Sequence, residues 1–503
     1  MQDQDGGDYL LAIGVMTGNS LDGADLVLTR FDIDGTMEDL CAHGAPMPEG
    51  LGRSLREVRA KVGAANGDMA AAVHLLDADE PGAFFSTERA YTEFVARAVR
   101  ELIIKAKADA SLASRYDLGR IDLIGSHGQT CAHCPPSIAA KRGETTYTVQ
   151  IGDAQALADL TGVTVVSDFR SDDLMLGGEG APLAPVHHRH IAVMARALGR
   201  FPLAFVNGGN TSNISVVSLD ASSGGIIVVG WDAGPFNHFP DKLMQTERGV
   251  PCDQDGAVGR RGVINIELLG ALFHRAVLTE EGDNFLDKPP PKSSDPAWYV
   301  LLPELAGTAP VGDAILAFED RVRTAEYFAA YVVVHTLSHL PSGLQIPGHF
   351  ALCGGGWKNP VCREDFIAIL NGDPNRPILP EHEALMTSIR EAAAASSGGH
   401  VAVESSDRYG FDATAMEARI FADAAVCRIR GEPFTLPETT GASHPAVCGV
   451  IRFPHADEAH ATARVRQWLQ KTKSADLTID RPDLFDPHWS RAARGWEQMR
   501  LSS

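Results

Sequence analysis

The chain has 503 residues, 44% hydrophobic and 22% charged, the balance of a globular protein too long for a single core and expected to divide into two to four domains. Its 44 Lys and Arg against 65 Asp and Glu leave a net charge of −21, which repels a polyphosphate backbone and argues against general nucleic-acid binding, although local backbone donors can still capture a small anion such as a nucleotide. No apolar run reaches membrane-spanning length, and the acidic N-terminus resembles neither a secretory nor a transit leader, so the cytoplasm is the expected compartment.

Residues 10–16 form an apolar run that breaks at Thr17-Gly-Asn-Ser20, and a second run, 24–28, begins after Asp22-Gly23. The pattern reads as strand, tight polar turn, strand. Two readings stand: an ordinary β-hairpin, or a phosphate loop in which glycine backbone and hydroxyl donors hold the anion while Asp22 faces a metal ion. Helical spacing follows at 50–63, 69–78 and 86–108. Residues 121–130 read as a short strand entering a glycine-flanked turn. This places His127 and Gln129 at a strand's carboxyl end, where open α/β sheets hold ligands; a hydrogen-bonded turn histidine is the plainer alternative. Among eight scattered cysteines only Cys131 and Cys134 have a C-x-x-C spacing, and with no second such pair they read as reduced thiols in a loop rather than a zinc site. Strands at 147–152 and 163–170 bracket a short helix at 154–161, and the glycine-rich segment 176–183 precedes a helix at 187–198.

Residues 201–217 repeat the opening pattern around Asn207-Gly-Gly-Asn-Thr-Ser-Asn213. Two equivalent hairpins suggest two similar domains facing a shared cleft, which favours the phosphate-loop reading of both. Residues 226–237 read as a strand ending at Asp232 and a Gly-Pro turn, followed by a helix at 239–245. Cys252-Asp-Gln-Asp-Gly256 lacks the spacing of a calcium loop and reads as structural. A proline-rich stretch, 285–296, is loop or extended chain, and a helix is expected at 320–337. Gly354, Gly355 and Gly356 make a third glycine-rich turn after a strand, open to close approach by a planar nucleoside, with Asn359 as N-cap of the next helix. A helix at 412–423 carries Glu417 among apolar neighbours, 433–450 is loop-like, and a polar tail begins at about 455.

In order along residues 9–452, Gly14-Val-Met-Thr-Gly-Asn-Ser-Leu-Asp-Gly23, Ile124-Gly-Ser-His-Gly-Gln-Thr130, Val149-Gln-Ile-Gly152, Asp168-Phe-Arg170 and Gly177-Gly-Glu-Gly-Ala-Pro-Leu183 are followed by Asn207-Gly-Gly-Asn-Thr-Ser-Asn-Ile-Ser215, Trp231-Asp-Ala-Gly-Pro-Phe-Asn237, Pro290-Pro-Lys292, Cys353-Gly-Gly-Gly356, Met416-Glu417 and Thr440-Gly-Ala-Ser443. This series resembles the anhydro-N-acetylmuramic acid kinases and their levoglucosan-kinase relatives, within the actin/hexokinase-like ATPases.

The resemblance implies an α/β fold of two RNase-H-like lobes flanking a central cleft: an N-terminal lobe at 9–200, a C-terminal lobe at 201–454, and an extension at 455–503 with no assigned role. It implies ATP and Mg²⁺, with the phosphate loop formed by Gly18, Asn19, Ser20, Leu21, Asp22, Gly23, Ala24 and Asp25 and opposed by Gly209 and Asn210. Gly354, Gly355, Gly356 and Asn359 would lie near the adenosine, and Asp22 and Glu417 at the metal. Asp232 matches the catalytic aspartate, and His127, Arg170, Gly180, Ala181 and Pro182 would surround the sugar. The expected activity opens 1,6-anhydro-N-acetylmuramic acid with water and phosphorylates its O6, a step of peptidoglycan recycling; the expected partners are the small-molecule sugar and ATP, with no nucleic acid or membrane, in a possible homodimer. Levoglucosan is the alternative substrate. A non-catalytic nucleotide sensor and a phosphohydrolase are readings from other classes, and the presence together of Asp22, Asp232 and Glu417 argues against the sensor.

Four positions depart from the family pattern. Asn19 stands where a hydroxyl residue is usual, and Asn210 and Ser212 replace small residues in the second hairpin. Phe236 replaces a glycine four residues after Asp232: a backbone with positive φ there would be strained by the ring, and the other outcome is a reshaped sugar pocket.

Overall fold

Near-continuous apolar runs make the inner strands of two α/β sheets in the computed structural model, which describes residues 9–18, 20–290, 292–409, 411, 415–456 and 462–472. The first half contributes β1 (Tyr9–Met16), β2 (Gly23–Asp32), β3 (Met37–Pro46), β4 (Leu123–Ser126), β5 (Gln129–Cys134), β6 (Tyr147–Ile151) and β7 (Thr164–Ser167). The second contributes β8 (Leu203–Gly208), β9 (Thr211–Leu219), β10 (Ile226–Pro235), β11 (His349–Cys353) and β12 (Ala402–Ser405), and the chain then returns as β13 (Val450–Arg452). The first sheet runs β13-β7-β4-β1-β2-β3 and the second β10-β9-β8-β11-β12, while β5 and β6 form a separate ribbon. In each sheet three strands are antiparallel neighbours and the first of them pairs in parallel with a later strand, so both have the RNase-H-like order expected from the resemblance.

The chain divides into two compact units. One takes the described residues up to His187 and those from 411 onward; the other is His188–Tyr409. The units differ from 9–200 and 201–454, and the C-terminal segment joins the first unit because the helix Met416–Arg430 packs on β1, β2 and β4. Gly14 and Gly125 are register partners on β1 and β4, and a Cβ on either would collide with the Ala418 or Phe421 carbonyl of that helix. Two small residues in register therefore let helix backbone rest on sheet backbone, a close approach that only glycine permits. Arg419, fully buried in the same helix, pairs through its guanidinium with Asp39 on β3.

The extension expected at 455–503 is described only in part. Its helix Ala463–Thr472 buries Val465, Trp468 and Leu469 and docks on Met416–Arg430, with Arg464 Nη1 donating to the Tyr9 carbonyl at 2.8 Å and Thr472 Oγ1 to the Ile429 carbonyl at 3.0 Å. That segment is thus part of the first unit's packing.

In the second unit the buried helix Phe318–His335 packs on β9 and β10 and shares a core with Ala204, Val206, Ile214 and Trp231. β3, β5 and β12 were not expected from sequence. Cys131 and Cys134, expected in a loop, are buried on β5, which pairs with β6. No helix among the described residues is long and apolar enough to cross a membrane.

Candidate active site

In the first unit the β1–β2 turn is anchored from beneath. Thr17 is buried and its hydroxyl meets Tyr91 OH at 2.9 Å, while Leu21 takes a left-handed φ of 57° and its N–H donates to the Gly18 carbonyl at 3.3 Å. Gly23 begins β2, where a Cβ would press on the Ala45 carbonyl; Ala24 is buried. These constraints leave Ser20, Asp22 and Asp25 exposed, with Ser20 Oγ donating to Asp22 Oδ1 at 2.6 Å. Asn19 lies outside the described residues. Glu417, in the first turn of Met416–Arg430, is also exposed, yet its carboxyl is pushed up, first by desolvation from the surrounding protein and then by the charge of Asp25. The carboxylate that faces Glu417 electrostatically is therefore Asp25.

The first unit also joins His127, Arg170 and Gly180 in one hydrogen-bonded cluster. Arg170 Nε donates to His127 Nε2 at 2.9 Å and its Nη1 to the Gly180 carbonyl at 2.7 Å. Because Nε2 accepts, His127 carries its proton on Nδ1, which donates to the Gly128 carbonyl at 2.9 Å. Burial and the Arg170 charge hold the imidazole well below its usual range, so it is neutral at physiological pH. Burial also lowers the Arg170 guanidinium to about 10, against the pull of Asp173, and its Nη2 has no partner among the described residues.

Asp173 organises the glycine-rich segment after this cluster. Its Oδ2 accepts from Gly180 N at 2.7 Å and its Oδ1 from Thr440 Oγ1 at 2.6 Å, while Glu179 N donates to the Thr440 carbonyl at 2.8 Å. A Cβ on Gly178 would strike the same carboxylate. Ala181 and Pro182 continue the turn through a cis peptide bond. Asp173 carried no signal of its own in sequence, and Thr440 stood in a recognised motif without a role.

In the second unit a β-bulge between Asp232 and Gly234 interrupts the β9–β10 register and re-aims Asp232. The following loop wraps the carboxylate: Oδ2 accepts from Ser294 N at 2.8 Å and from the Ser293 and Ser294 hydroxyls, each at 3.2 Å, and Asp232 N donates to the Lys292 carbonyl at 3.0 Å. Oδ1 has no protein partner among the described residues. Burial pushes the Asp232 carboxyl up, and the serine donors and Lys292 oppose it. Lys292 Nζ lies 4.7 Å from the centroid of the Phe285 ring and donates to the Phe285 and Leu286 carbonyls at 3.2 Å; burial lowers it to about 8. Ser293 and Ser294 follow directly on the Pro-Pro-Lys motif, the signal that could have marked them.

Gly209 and Asn210 form the β8–β9 turn, tied down by Phe236 N donating to the Asn210 carbonyl at 2.9 Å and Asn237 N to the Gly209 carbonyl at 3.0 Å. Phe236 itself is not among the residues with positive φ and is 1% exposed. Its ring packs on Trp357 with centroids 4.5 Å apart and fills the space beside Gly208 and Gly356. The ring is thus core, and the turn carries no positive-φ strain at this position. The three consecutive glycines differ in role: Gly354, at φ 88°, lies against the Asn207 side chain and Gly208 backbone and Gly356 against Phe236, whereas a Cβ on Gly355 would meet open space. Asn359 is the N-cap of the helix Pro360–Leu370, accepting from Val361 N at 2.9 Å, and its Nδ2 donates to Glu326 Oε1 at 2.7 Å.

The family model for anhydro-N-acetylmuramic acid kinase matches residues 10–376 and 380–454. The chain belongs to the anhydro-N-acetylmuramic acid kinase family. Proteins of that name from Rhizorhabdus wittichii, Rhodopseudomonas palustris and Vibrio cholerae are each 33% identical to it, the alignments covering 88% of this chain and 99%, 100% and 98% of those proteins. The anhydro-N-acetylmuramic acid kinase match takes in both hairpins, Asp232, the glycine turn and Glu417, and ends before the helix Ala463–Thr472.

Proposed function

We propose that the chain is an ATP-dependent kinase that hydrolytically opens 1,6-anhydro-N-acetylmuramic acid and phosphorylates its O6. Family membership supports the reaction class, and the observation that carries the chemical assignment is the asymmetry of Asp232: every donor among the described residues converges on Oδ2, leaving Oδ1 open to take a proton. A 1,6-anhydro sugar has no free 6-hydroxyl, so phosphorylation is coupled to opening of the bridge. Asp232 Oδ1 accepts a proton from water as the water oxygen bonds to C1, the C1–O6 bond breaks, and O6 forms a bond to the γ-phosphorus of ATP as ADP leaves. General-base assistance of this kind contributes ~10²–10⁴ in rate.

The exposed turn with Ser20, Asp22 and Asp25 and the open face at Gly355 support phosphate and nucleoside binding. For Mg²⁺ the donor set fits: Asp22, Asp25 and Glu417 offer the hard carboxylate oxygens that this ion takes, and Glu417, raised first by desolvation and then by the charge of Asp25, is a carboxyl whose anion a divalent cation would stabilise. When bound, the ion neutralises charge on the transferring phosphates. On the sugar side, Arg170 Nη2 is a cationic donor held rigid by His127 and Gly180.

The test is incubation with ATP, Mg²⁺ and either 1,6-anhydro-N-acetylmuramic acid or levoglucosan, with mass detection of a product heavier by phosphate plus water. Asp232→Asn is expected to abolish nearly all turnover while ATP binding persists. Near-normal turnover of that variant overturns the assignment, and phosphate release without sugar modification makes the protein a phosphohydrolase.

A further inference from the structure

The carboxylate of Asp232 ends a chain of hydroxyl groups that begins in the second hairpin. Thr211, the first residue of β9 after Gly209 and Asn210, places Oγ1 2.9 Å from Tyr299 OH, and Tyr299 OH donates to Ser294 Oγ at 2.6 Å. Ser294 Oγ in turn donates to Asp232 Oδ2. A phenol has one proton, and that of Tyr299 is committed to Ser294, so Thr211 must donate to the Tyr299 oxygen. All three protons therefore point one way, toward the carboxylate, and each bond polarises the next.

We propose that Thr211, Tyr299 and Ser294 are positioning residues that hold Asp232 with Oδ1 aimed at the reacting water and tie its orientation to the nucleotide-side hairpin. The proposal rests on the assignment of Asp232 as the base. None of the three touches the reacting atoms in this scheme; they act through Oδ2. Tyr299 is 6% exposed, and its ring is held edge-on by His238 at 5.1 Å between centroids. The hydroxyl is thus delivered by a buried, packed ring, a costly arrangement unless the hydroxyl is satisfied. The charged and titratable groups around the chain are Lys292 beside Asp232, Asp287 beside Lys292, Asp295 beside Tyr299, and His238. Because all the donors favour the anion, removing any of them moves the protonation of Asp232 to higher pH.

The experiment is steady-state turnover of the full chain with ATP, Mg²⁺ and 1,6-anhydro-N-acetylmuramic acid from pH 5 to 9. Tyr299→Phe, which keeps the ring, is expected to move the acidic limb up by about half a pH unit and so to lower kcat about threefold on the acidic side, with the KM for ATP unchanged. Ser294→Ala is expected to move it by about one unit, and Ser294→Thr to restore it. In the Ser294→Ala background, Tyr299→Phe should add nothing, since Tyr299 acts only through Ser294. Acidic limbs of Tyr299→Phe and Ser294→Ala that overlay the unmodified protein, or an equal cost of Tyr299→Phe in both backgrounds, overturn the relay. If Asp232→Asn is inactive in that case, the relay alone has failed; if Asp232→Asn turns over normally, the base assignment has failed.

Discussion

Glu326→Gln tests the electrostatics beneath the glycine turn. Glu326 is fully buried in the helix Phe318–His335, accepts from Asn359 Nδ2, and leaves Oε2 without a hydrogen-bond partner among the described residues. Burial, with the nearby Asp253 charge, pushes its carboxyl from 4.5 up to about 8. The folded chain therefore holds a proton that the unfolded chain releases between those values. The stability this contributes is fully present below pH 4.5 and is lost as pH rises through about 8. Each pH unit in that window costs about 1.4 kcal/mol, so the loss reaches about 3 kcal/mol by pH 7. Glutamine reproduces the protonated side chain at every pH: it still accepts from Asn359 and turns a donor toward Asp253. Equilibrium urea unfolding at pH 5, 6, 7 and 8, followed by the fluorescence of Trp231, Trp298 and Trp357 in this unit, compares the two proteins, and subtraction removes the other titrating groups. The gap is expected to widen in favour of the variant by about 1.4 kcal/mol per pH unit and to level off above pH 8. A gap that stays constant with pH refutes the reasoning.

Gly355→Ala should leave the Tm unchanged and weaken ATP binding by calorimetry, whereas Gly354→Ala, pressed on the Gly208 backbone at positive φ, should lower the Tm. Gly125→Ala, by forcing the helix Met416–Arg430 off the sheet, is expected to cost about 1–3 kcal/mol or more in urea unfolding. Arg170→Lys cannot hold His127 and Gly180 together, and should raise the sugar KM about tenfold with little change in the KM for ATP. Asp173→Asn loses an acceptor shared by Gly180 and Thr440 and should speed proteolysis in the segment 177–180.

Much of this protein is written locally. The apolar runs of β1 and β8, broken by Gly, Ser and Asn, specify two hairpins whatever surrounds them, and the N-cap at Asn359 follows from its place before Pro360. A chain-local signal also marked His127 at the end of an apolar strand, whereas Arg170 and Gly180 were marked by the family resemblance. Tertiary structure alone decided which residues meet. Gly14 and Gly125, 111 residues apart, serve one helix that arrives from beyond residue 410, so no local reading could assign that helix to the first unit. Phe236 looked misplaced because sequence spacing says nothing of the space beside Gly208 and Gly356 that its ring fills. That Asp232 Oδ1 has no partner among the described residues depends on a bulge and on hydroxyls 61, 62 and 67 residues away, since hydrogen-bond direction is a property of three-dimensional neighbours and not of the order of residues along the chain.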